Sequence, residues 1–95
     1  MKTKVTRGII ELIPPPMHHL DAHLVSVPFT EVFLEGVREP IEVPGEVPYN
    51  LTGKRVRIVE ISQPTICNRY ENVRFSIFSN PKNTPLYSGR YRKIL

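Results

Sequence analysis

The chain has 95 residues, 40% apolar and 23% charged, with ten prolines, one cysteine and a formal net charge of +4. A chain of that length makes one domain around a single core, and no apolar run approaches the roughly 20 residues of a membrane helix. Cys67 has no partner for an internal disulfide, and "MKTKVTRGII" has neither the apolar stretch nor the small-residue cleavage site of a secretory signal; the expectation is a cytoplasmic protein with no membrane partner.

In chain order, "KVTRGIIELI" (4–13) reads as a strand buried on both faces toward its end, with Gly8 marking a bulge or bend. Pro14–Pro16 cannot donate to a ladder and take the chain out of the sheet. "AHLVSVPFTEVFLEG" (22–36) places Val25, Val27, Phe29 and Phe33 on one side, with Pro28 implying an edge or a bulge. "VFLEGVREPIEV" (32–43) reads as a hairpin turning at Glu35–Gly36. A proline-rich loop is expected over 44–53. Residues 54–62 then alternate, with Val56 and Ile58 on one face and Arg55, Arg57 and Val59 on the other. A connection follows at 63–72. Residues 73–79 alternate cleanly, with Val73, Phe75 and Ile77 inward and Arg74, Ser76 and Phe78 outward. After a turn at 80–85, residues 86–95 form a basic C-terminal strand, tail or short helix.

Five or six short strands punctuated by turn residues, with almost no helical spacing, predict a single all-β domain spanning 1–95, built as a small barrel. The expected core is Val5, Ile9, Val27, Phe29, Val56, Ile58, Val73, Phe75 and Ile77. In architecture this pattern resembles the oligonucleotide-binding (OB) type of barrel, with the SH3-like barrel as second choice. Two departures accompany the resemblance. Residues 44–53 are too short and proline-rich for the helix such barrels often carry between their third and fourth strands. The second and third strands, which usually face the ligand, fall in the acidic stretch 30–46.

Charge is split along the chain. Residues 1–53 hold four cations against seven carboxylates, or −3; residues 54–95 hold nine against two, or +7. The basic half suggests an anionic partner, and its rings suggest nucleic acid, because phosphates need cationic donors and unstacked bases need flat surfaces. The candidate binding residues are Lys54, Arg55, Arg57, Arg74, Phe78, Tyr87, Arg90, Tyr91, Arg92 and Lys93. The implied function is binding of single-stranded DNA or RNA with little sequence preference. The alternative is a protein-interaction or structural module without nucleic-acid binding, in which acidic and basic halves of successive copies meet in an oligomer or larger assembly.

Other motifs carry less. His18, His19, Asp21 and His23 are possible metal ligands, but their spacing matches no zinc pattern and a polar loop explains them. "TGK" (52–54) lacks the upstream glycine of a phosphate-binding loop. Cys67 has no activator near it in sequence, and Glu60 and Glu71 form no acid–base pair. No enzymatic activity, cofactor or metal is expected.

Overall fold

The computed structural model describes residues 1–18, 27–67 and 69–95. It is an all-β protein of antiparallel strands curled into a half-barrel: β1 (Lys2–Leu12), β2 (Met17–His18), β3 (Pro28–Leu34), β4 (Ile41–Pro44), β5 (Arg55–Pro64), β6 (Tyr70–Ser79) and β7 (Pro85–Ile94), with one turn of 3-10 helix at Tyr49–Leu51. Residues 86–95, open between strand and helix in the sequence, lie in and just beyond β7. Among the described residues no helix is long and apolar enough to cross a membrane. His19, Asp21, His23 and Val25 lie outside the described residues.

β1 belongs to two sheets. Lys2–Ile9 pair with β5, and Ile10 and Leu12 pair with β3 on the opposite edge. Beyond the proline run, β2 takes up the same edge of β3, with Met17 across from Phe29. The prolines therefore interrupt the ladder without ending the strand's course, and β1 with β2 acts as one broken strand. β3 turns at Glu35–Gly36, where Gly36 has a φ of 74° and Val37 N–H bonds Leu34 O at 3.1 Å, and β4 pairs back along it. β5, β6 and β7 form a meander on the other side of β1. Strands β5 and β6 extend to Pro64 and from Tyr70, so the expected connection at 63–72 shrinks to a tight turn.

The two free edges of the curl, β4 and β7, meet at one seam that no ladder joins. Tyr87 O–H donates to Pro44 O at 2.8 Å, and the Phe29 and Tyr91 rings pack edge to face with centroids 5.1 Å apart. Gly89 lies directly under Pro44, so close that a Cβ there would overlap the Pro44 carbonyl oxygen. Buried Thr30 of β3 holds the loop after β4: it donates to Gly45 O at 2.7 Å and accepts from Val47 N–H at 3.1 Å. That pair of bonds pins the Gly45–Val47 backbone and tucks Val47 and Leu51 into the core.

The core corrects part of the sequence reading. Phe29, Val56, Ile58, Val73, Phe75 and Ile77 are buried as expected. Val5 is not: it is 40% exposed, and Ile9 is only half-buried, as is Val27. The register explains β1. Thr6 and Gly8 stand across from Ile58 and Val56, so the even positions of β1 face inward and Val5 and Ile9 face out. Gly8 packs against Leu34, and Ile10 takes the core position assigned to its neighbour. An irregularity between Ile10 and Leu12 then turns Ile13 inward and leaves Leu12 exposed.

Candidate functional site

Alternation along β1, β5, β6 and β7 sorts the charge by face. The outer face takes Thr3, Val5, Arg7 and Ile9 from β1; Arg55, Arg57, Val59, Ile61 and Gln63 from β5; Tyr70, Asn72, Arg74, Ser76 and Phe78 from β6; and Ser88, Arg90, Arg92 and Ile94 from β7. Six of these are arginines and none is acidic; Glu11, exposed on the same side of β1, lies just past the last β1–β5 pair. The two carboxylates of the basic half, Glu60 and Glu71, point to the other side, across from Lys4 and Lys93 respectively.

The arginines form two groups. Arg7 stands directly across from Arg57, with Arg55 one row above. Arg74 stands directly across from Arg90, with Arg92 one row below. Arg74 is also the cross-strand partner of Ile61, four residues from Arg57, so the groups are roughly 13 Å apart along the strands. Between them runs the uncharged row Val5, Val59, Ser76 and Ser88. The lower group borders a shallow groove of about 710 Å³ that Ile61, Gln63 and Asn72 also line.

Two rings belong to this face, each beside an arginine. The Arg57 guanidinium lies over Phe78, 4.6 Å from the ring centroid, and its Nε donates to Asn83 Oδ1 at 3.2 Å. The Arg92 guanidinium lies 5.5 Å from the Tyr70 centroid. Phe78 is thus half-buried beneath a cation. The flat surface presented there is the guanidinium itself, which stacks on bases as a ring does.

Of the sequence candidates, Arg55, Arg57, Arg74, Phe78, Arg90 and Arg92 share this face. Lys54 sits in the turn ahead of β5, where Leu51 O accepts its N–H. Tyr87, Tyr91 and Lys93 lie on the opposite side. The two tyrosines are half-buried in the β4–β7 seam, and Lys93 faces Glu71. Burial raises both phenol pKa values, with Glu46 adding to Tyr87 and Glu60, Glu71 and Glu42 adding to Tyr91. The sequence reading missed Arg7 and Tyr70. Arg7 shares parity with Val5 and Ile9, so placing those two in the core hid it. Tyr70 was assigned to a loop.

Elsewhere, Cys67 is an exposed thiol in the β5–β6 turn, 3.4 Å from Thr65 Oγ1. The hydrogen bond from the Thr65 side chain holds its pKa below the ordinary thiol value. Among the described residues no three His, Cys, Asp or Glu side chains are grouped to hold a metal ion. The chain matches no family model, no curated protein and no solved structure, so a functional reading rests on the geometry of this face.

Proposed function

We propose that the chain binds single-stranded nucleic acid, with little sequence preference, through the outer face of the β1–β5–β6–β7 sheet. One observation carries the reading: Arg7 stands directly across from Arg57 and Arg74 directly across from Arg90, on outward-facing paired rows of β1, β5, β6 and β7 that hold no carboxylate. Like charges in that position destabilise a sheet, and no carboxylate is the cross-strand partner of any of the four. A polyanion offsets them. Arg7, Arg55, Arg57, Arg74, Arg90 and Arg92 hold phosphates, and bases lie on the guanidinium planes of Arg57 and Arg92 that cover Phe78 and Tyr70. The face is the outside of a curled sheet with rings in it, which suits splayed single strands better than a duplex whose bases are stacked inside. The strand arrangement, with β3–β4 on one side of β1 and the β5–β7 meander on the other, supports kinship of architecture with OB-type barrels. The ligand then tracks the later strands, away from the acidic β3–β4 hairpin.

Fluorescence anisotropy with a labelled oligonucleotide tests this at two salt concentrations. Binding should appear at about 50 mM salt and fall steeply toward about 200 mM, with a logarithmic slope approaching roughly 4 if all six arginines meet phosphates. Arg74→Glu combined with Arg90→Glu should abolish it. No binding by the wild type at low salt, or full binding by that variant, overturns the reading.

A further inference from the structure

The sheet that carries the arginines is open on both sides. β7 is the last strand of the order; β4 and β3 meet its inner side through Tyr87, Gly89 and Tyr91, and no ladder joins them to it. At the other side, β3 pairs with β1 only from Ile10 onward, so among the described residues nothing pairs with the second edge of β1 over Lys2–Gly8. The hydrogen bonds fix which groups face these edges. Ile10 N–H bonds Lys54 O, while Ile9 O accepts Glu35 N–H from the opposite side. By alternation, the backbone N–H and C=O of Thr3, Val5 and Arg7 point away from β5. Leu95 N–H bonds Arg69 O, so by the same alternation those of Arg90, Arg92 and Ile94 point away from β6.

β1 and β7 run in opposite directions, because three antiparallel steps separate them. The β7 edge of one copy therefore fits the β1 edge of another in the same antiparallel mode that joins every other pair. The contact is heterologous and leaves a fresh edge at each end, so it propagates. Both edges are cationic: Lys2, Lys4 and Arg7 on one, and Arg90, Arg92 and Lys93 on the other. Cationic edges resist pairing, and the free chains repel one another there.

Building on the nucleic-acid reading above, we infer that the partner for these edges is a second copy of this chain, joined only when both lie on the same polyanion. Phosphates neutralise the facing cations, β7 of one copy pairs with β1 of the next, and the outer faces merge into one continuous arginine-lined sheet. Four strands per copy advance that sheet by roughly 19 Å. The chain then coats a strand cooperatively while staying monomeric without it.

The test uses the full chain with two oligothymidylates, one of about 8 nucleotides, within the site size of a small barrel, and one of about 60. Anisotropy is read alongside sedimentation. The wild type should be monomeric alone, bind the short oligomer with a simple isotherm, and bind the long one with a sigmoidal isotherm and a roughly tenfold or greater gain in apparent affinity. Val5→Pro and Ile94→Pro each remove one edge donor without changing charge or the inner ladder. Both should keep short-oligomer binding and lose cooperativity on the long one. Amide hydrogen exchange of the wild type adds a readout independent of the variants' folding: the Val5 and Arg92 amides should become protected on the long oligomer and not on the short one. Failure to bind the short oligomer sinks the nucleic-acid reading itself. Equal affinity per site on both lengths, retained cooperativity in the folded proline variants, or unprotected edge amides overturns the assembly inference alone.

Discussion

Arg74 and Arg90 occupy directly opposed positions on β6 and β7, both exposed, with Ile61 as the neighbour of Arg74 on β5 and no carboxylate paired with either. The pair opposes folding in the absence of an anion. Arg90→Glu turns repulsion into attraction, and it should raise the stability of the free protein by about 0.2–1 kcal/mol while weakening oligonucleotide binding. Urea titrations paired with anisotropy check both halves. A variant that is less stable and binds normally contradicts the functional assignment of this pair.

The seam supplies the opposite expectation. Tyr87→Phe leaves the buried Pro44 carbonyl without its donor and should lower stability by about 0.5–1.5 kcal/mol with no change in oligonucleotide affinity. Gly89→Ala pushes a methyl group into the Pro44 carbonyl oxygen and should be the more damaging of the two in a thermal melt. Loss of affinity in Tyr87→Phe with stability intact would move that ring back into the binding surface.

Alkali should open the same seam. Burial raises the Tyr87 and Tyr91 pKa values above their unfolded ones, so near and above pH 10 the native state holds protons that the unfolded chain has lost. Their stabilisation is complete below the ordinary phenol pKa of about 10 and declines as pH rises through the raised values. Denaturant midpoints measured from neutral pH to beyond pH 10 should fall at the alkaline end. The double variant Tyr87→Phe, Tyr91→Phe should be less stable at neutral pH and show a flatter alkaline decline.

Thr30→Val keeps the shape of a fully buried side chain but strands the Val47 N–H and the Gly45 carbonyl. A loss of about 1–3 kcal/mol is expected. Hydrogen exchange should place the new weakness at Val47, because that amide loses its acceptor.

Strands β5 and β6 were legible because Val56, Ile58, Val73, Phe75 and Ile77 alternate without interruption and the sheet they lie in is wet on one side. β1 was not. Apolar residues occupy both parities there, and only the pairing of Thr6 with Ile58 and Gly8 with Val56 decides between them. Val47 and Leu51 reach the core from a segment without periodicity, held by the Thr30 bonds that link it to a distant strand. At the site, "YSGRYRK" already carried the answer in its alternation. Tyr87, Gly89 and Tyr91 share one parity and Arg90 and Arg92 the other, so rings and cations that adjoin in sequence part company in the fold.

The β3–β4 hairpin carries Glu31 directly across from Glu42, with Glu35 and Glu39 in the turn between the strands and Glu46 just beyond β4. With six arginines gathered on the outer face of the other sheet, the molecule is an electric dipole. In the field of a polyanion such a molecule turns as it diffuses, bringing the arginines forward and the glutamates behind before any contact forms. Its orientation at encounter is then largely settled by long-range forces, so association should be fast at low ionic strength and slow sharply as salt shortens their reach.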